Sequence, residues 1–119
     1  MTDKTPSQLA GTAADAVRAL NHATLGPDRL GWEYPADAYD VIGGLDQLVG
    51  FLPQALDQIA RHIERLAAEG HIRSDKGGDG SDEVATALRA LEWANADATQ
   101  LGSRLVTVHS ALSPLAYKD

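Results

Sequence analysis

Apolar residues recur along this chain at helical intervals. Leu9, Ala13, Ala16, Leu20 and Ala23 follow spacings of four and three, which puts them on one face of a helix. Thr5-Pro6-Ser7-Gln8 reads as its start. Thr5 is the expected N-cap, Pro6 the first helical residue, and Gln8 closes a capping box. Gly26-Pro27 ends the segment, which predicts a first helix over about 6–25. The connector from Asp28 to Tyr34 carries Leu30 and Trp32, both expected to tuck against the end of the bundle.

A longer stripe follows: Val41, Leu45, Leu48, Leu52, Ala55, Ile59, His62 or Ile63, and Leu66. It predicts a second helix over about 36–69. Asp37 and Asp40 suit its positive N-terminal end. Gly43-Gly44 admits either a close helix approach or local flexibility. Pro53 removes one backbone hydrogen bond and crowds the preceding turn. The stripe keeps its phase across Pro53, so a kinked helix is expected, with a break near Gly50 to Leu52 as the alternative. Asp57 with Arg61, and Arg65 with Glu69, have the spacing of i,i+4 ion pairs.

Gly70 reads as a left-handed cap, and His71 to Gly80 as a polar, glycine-rich loop expected to be mobile. Ser81 is the expected N-cap of a third helix, with Asp82 and Glu83 in its first turn. Val84, Leu88, Leu91, Ala94 or Asn95, Ala98, Leu101, Leu105, Val108 and Leu112 carry the helical period over about 81–113, and Pro114 ends it. The fold class is all-α: one antiparallel bundle of about three helices spanning residues 1–119. The second and third helices, each ~45 Å long, form a hairpin, and the shorter first helix is expected to return against it. Part of the hairpin then stays uncovered, and a homodimer is the natural completion.

Composition agrees with this. Alanine and leucine dominate the apolar set, and both favour helix because they lose little freedom there. At 119 residues one domain is expected. The formal net charge of −7 opposes binding to nucleic acid and to anionic membranes. Arg61, Arg65 and Arg73 are the only basic cluster, and Asp57, Glu64 and Glu69 dilute it. With no cysteine there is no disulfide, thiolate metal site or cysteine nucleophile. Neither a leader-like start nor a membrane-length apolar run is seen, so a cytoplasmic location is expected.

Candidate chemistry is sparse. Asp75, Asp79 and Gly80 match part of a calcium loop, but the closing position is Thr86, where a bidentate glutamate is needed, and position three is Gly77. The pairs Asp37/Asp40 and Asp79/Asp82 have the spacing of magnesium-binding acidic pairs, yet helix N-terminal charge accounts for both. In an up-down-up bundle, His22, Asp37, Asp40 and His109 meet at one end, with Tyr39 beside them. That set has the chemistry of a divalent-metal site or of general acid–base groups. His62 reads as a hydrogen-bonded histidine at the core edge, and no serine or threonine has nucleophile-elbow context. No cofactor is implied.

Trp93 lies well off the main stripe, with Ala87, Ala90 and Ala94 nearby. It either packs beneath the first helix or anchors a partner, as tryptophan does at interface centres. Trp32 carries the same pair of readings, as a loop anchor or a partner contact.

Three stretches carry a resemblance: Tyr39-Asp40-Val41-Ile42-Gly43-Gly44-Leu45, then Leu48-Val49-Gly50-Phe51-Leu52-Pro53-Gln54, then Gly70-His71-Ile72-Arg73-Ser74-Asp75. From Tyr39 onward the chain resembles a set of small helical proteins of actinobacteria, mostly uncharacterised. The resemblance implies an all-α fold and no particular activity. The function expected from the residues is a non-enzymatic interaction protein that self-associates or binds another protein through its second and third helices. The alternative is a small metal- or ligand-binding bundle, with enzymatic activity left open, at His22, Asp37, Asp40 and His109.

Overall fold

A computed structural model describes residues 3–26 and 30–119. Pro27 and Asp28, read above as a helix stop and the start of the connector, lie outside them. The described residues form three helices: α1 (Pro6–Ala23), α2 (Pro35–Ala68) and α3 (Ser81–Leu112). They contain no strand, so the all-α class holds. No helix among them is long and apolar enough to cross a membrane.

The ends of α1 and α2 follow from side-chain chemistry legible in the sequence. At α1, the Gln8 amide N donates to the Thr5 hydroxyl at 3.2 Å, and the Thr5 amide N donates to Gln8 Oε1 at 2.9 Å, completing the capping box. At the start of α2, one Asp37 carboxylate oxygen accepts from the amides of Glu33 and Tyr34, both at 2.8 Å. At its end, Gly70 takes φ 75°, the His71 amide reaches the Leu66 carbonyl and the Gly70 amide reaches Ala67. That is a Schellman motif, which satisfies carbonyls the helix leaves open.

The start of α3 differs from expectation. Its N-cap is Gly80 at φ 77°, and Ser81 is the first helical residue. The Asp79 carboxylate accepts from the Ser81 amide at 3.0 Å, so the capping acceptor sits one residue before the cap. Gly80 is buried, and a Cβ on it would come within 3.0 Å of Ile72 Cγ2. The 71–80 loop is stitched by its own hydrogen bonds. The Ser74 amide donates to the Gly78 carbonyl, the Gly77 amide to the Ser74 carbonyl, and the Ser74 hydroxyl to Glu83.

Helix α2 runs unbroken through Pro53, so the alternative of two separate helices is not what forms. The Asn95 side-chain amide donates to the Pro53 carbonyl at 2.9 Å and ties α3 to α2 at that level. Of the two expected ion pairs, Asp57–Arg61 is present at 2.9 Å. Arg65 instead contacts His62 Nδ1 at 2.7 Å, and Glu69 faces His71 at 3.7 Å.

Helices α2 and α3 pack as an antiparallel hairpin. Gly43 faces His109, Val49 faces Gly102 and Pro53 faces Asn95, which sets the levels along the pair. The seam overlaps the stripe expected on α2, of which Val41, Leu45, Leu48, Ile63 and Leu66 are half-buried, and extends past it on one side. Ile42, Val49, Pro53, Leu56, Ala60 and Ile63 are buried or half-buried, whereas Leu52, Ala55 and Ile59 are exposed. Most of the expected stripe is thus at least half-covered, and its middle part, Leu52, Ala55 and Ile59, stays open.

The first helix does not return against the hairpin. It contacts neither α2 nor α3, and none of its residues is buried. Leu30, expected to tuck in, is fully exposed. The radius of gyration is 19.4 Å, against about 13–14 Å for a compact domain of this length. Among the described residues the only buried apolar side chains are Val49 and Ala98, and neither is completely enclosed.

Candidate functional site: the uncovered face of the hairpin

The residues left out of the seam share one side of the hairpin. On α2, Leu52 follows the seam residue Val49 by three positions, and Ile59 follows Leu56 by three. On α3, Leu101 follows Ala98 and Val108 follows Leu105 by the same step. Three residues turn a helix through about 300°, which displaces each exposed residue ~60° from the seam in the same rotational sense. In two antiparallel helices facing each other, that shared sense means the same side. Leu52, Ile59, Leu101 and Val108 therefore form one apolar face, with the small Ala55, Ala90 and Ala94 between them.

A shallow groove on the opposite side is lined by the charged, exposed Asp57, Glu64, Arg89 and Glu92 together with the apolar Leu56, Ala60, Leu88 and Leu91. The back thus mixes charged and apolar residues, whereas the exposed side chains of the front are mainly apolar.

Two aromatic residues flank the front. Phe51 on α2 is 73% exposed and Trp93 on α3 is 64% exposed. Trp93 does not lie beneath α1, so of its two expected readings the packing one is overturned: α1 is not there to cover it. Phe51, at the outer border of this face, was not singled out in the sequence. The signal was available, since an aromatic residue immediately before Leu52 widens the stripe toward its outer edge.

Trp32 has a different setting. It is half-buried and shares a shallow cleft with Pro35, Ala38 and Tyr117 at the N-terminal end of α2. Tyr117 folds back from the C-terminal tail to meet Tyr34 edge-on, with ring centroids 5.2 Å apart. This corner is separate from the apolar front.

The four residues expected to meet as a metal or acid–base site are not gathered together. His22 is exposed on α1, which makes no contact with the hairpin. Asp37 is engaged in the α2 cap, and the amides of Tyr34 and Glu33 hold its carboxyl below the ordinary aspartate value. Asp40 is exposed on α2. His109 stacks on Tyr39, with centroids 3.9 Å apart and planes 17° from parallel, and its Nε2 lies close over Gly43. Among the described residues, no group of three or more histidine and acidic side chains converges on a point.

The calcium-like loop is likewise occupied by structural work. Asp79 caps α3, which lowers its carboxyl below the ordinary value, and Asp75 pairs with Arg73 at 3.5 Å. The Ser74 hydroxyl beside Glu83 lowers that carboxyl too. Comparison with known proteins gave no match: no family model fits the chain, and no curated protein or solved structure is detectably similar to it.

Proposed function

We propose that this chain is a non-enzymatic helical protein–protein interaction module that self-associates through the apolar front of the α2/α3 hairpin. One observation carries the reading. Among the described residues the lone chain buries only the apolar side chains of Val49 and Ala98, while Phe51, Leu52, Ile59, Trp93, Leu101 and Val108 are exposed. Contiguous apolar patches of that kind on an ordered surface mark sites of association. Trp93 and Phe51 supply the large aromatic area that dominates interface energetics.

Asp37, Asp79, Glu83 and His109 each have a partner within the chain, whereas the apolar front has none. Sedimentation equilibrium of the pure protein at micromolar concentration tests the reading. A dimer or larger oligomer is the expected result. A strict monomer, with unchanged Trp93 fluorescence across the concentration range, overturns it.

A further inference from the structure

The apolar front has a shape and a charge pattern that suit one particular occupant. Leu52 sits about midway along α2 and, from the facing pairs Val49–Gly102 and Pro53–Asn95, level with Ala98 near the middle of α3. The front is therefore centred on the length of the hairpin. From the level of Val41 to that of Ile63 it measures roughly 33 Å by ~20 Å, about 660 Å² in projection, near the ~800 Å² per partner of a standard interface.

We propose that a second copy of this chain covers the front, related by a two-fold axis that crosses the hairpin at Leu52. This rests on the self-association reading above and adds its geometry. Each α2 then lies antiparallel across the other α2, and each α3 across the other α3, in a four-helix bundle. Leu52 meets its own copy at the axis. Leu48 meets the small Ala55 of the second copy, large against small.

The flanks select this arrangement. Asp40 and Arg65 lie on the same outer edge of α2, nearly equidistant from Leu52: Asp40 is 12 residues before it (52 − 40) and Arg65 is 13 after it (65 − 52). Reversal about Leu52 brings each Asp40 beside the second copy's Arg65. Among the described residues neither is in an ion pair within the chain, and the Arg65 guanidinium contacts only the His62 ring. On the outer edge of α3, Trp93 and Arg104 are likewise nearly equidistant from Ala98. The same operation sets the Arg104 guanidinium of one copy against the Trp93 ring of the other, a cation–π pairing. One contact opposes association: Asp97 falls close to its own copy beside the axis.

The absence of native cysteine makes the test direct. Leu52→Cys places one thiol in each chain at the proposed axis, and Arg89→Cys places one on the side away from the front as a control. Under mild oxidation the Leu52→Cys protein is expected to form a disulfide-linked dimer, and the Arg89→Cys protein to remain unlinked. If Leu52→Cys does not cross-link while the unsubstituted chain sediments as a dimer, the crossing axis is wrong and self-association survives. If the unsubstituted chain is a monomer, the functional reading falls first, and this arrangement with it.

Charge exchange supplies a readout that does not depend on the cysteine variant. Asp40→Arg and Arg65→Asp are each expected to weaken the dimer about tenfold, because each acts at two symmetric contacts. Combining them should restore affinity to within about threefold. Asp97→Asn should tighten the dimer. Equal, additive losses in the double variant, with circular dichroism showing intact helices, overturn the proposed pairing.

Discussion

Gly80 shows how much one backbone conformation decides at the residue scale. It is buried at φ 77°, under Ile72, at the point where the loop turns into α3. An L-residue there meets both an unfavourable left-handed backbone and the Ile72 methyl, so Gly80→Ala is expected to destabilise by about 1–2 kcal/mol or more. Chemical denaturation of the two proteins measures it. The same change at Gly78, also at positive φ but with open space around it, should cost less.

Asp37 gives a pH dependence at the same scale. Its carboxyl is held below the ordinary 3.8 by the amides of Tyr34 and Glu33. A carboxylate lowered on folding adds stability that is complete above its ordinary value and is lost as pH falls through the lower, folded-state value. The stability difference between the parent and Asp37→Asn should therefore be largest near neutrality and shrink as pH drops below ~4. A difference that grows in acid would contradict the cap. The caps at Thr5–Gln8 and Gly70 were legible in the sequence because the signal is local. The cap at Asp79 was not, because Ser81 matches the same pattern and only the φ of Gly80 separates the two.

At the scale of the helix, the periodicity located all three elements within a few residues. It could not say which row of α2 would be buried. Ile42, Val49 and Leu56 alternate around the same apolar arc as Leu52 and Ile59, and the choice is made by the partner helix, at contacts remote in sequence. Asn95 on the Pro53 carbonyl and His109 over Gly43 are two of these. Neither follows from a spacing rule.

Gly43 and Gly50 separate the two roles a helical glycine can have. Both lie inside α2, where alanine is intrinsically better by roughly 0.5–1 kcal/mol. Around Gly50 a Cβ meets open space, so Gly50→Ala should raise stability by about that amount. At Gly43 the new methyl would stand 3.3 Å from His109 Nε2 and press on the His109–Tyr39 stack. Gly43→Ala should therefore gain less than Gly50→Ala, or lose stability. Equal gains in thermal midpoint would show that the close approach of the helices does not matter.

At the scale of the molecule, the all-α class was readable from the chain, and the uncovered apolar face was half readable. Trp93 was singled out by its position off the stripe, whereas Phe51 was overlooked. The four-residue end site was not legible because it required α1 to pack, and packing depends on more than an amphipathic pattern. The apolar face of α1 is mostly alanine, with Leu9, Val17 and Leu20 as its larger members, so it offers little area to bury.

A hairpin whose buried apolar side chains are only Val49 and Ala98 has little apolar burial to set against ~1–2 kcal/mol of backbone entropy per ordered residue. Its stability should come largely from the covering of its front, and folding is then linked to association by mass action. Thermal unfolding, followed by far-ultraviolet circular dichroism over a hundredfold range of protein concentration, reads that linkage. The expected result is a midpoint that climbs steadily with concentration. A midpoint that does not move, in a protein that unfolds reversibly, would mean the single chain holds itself together and its apolar front has no second copy to meet.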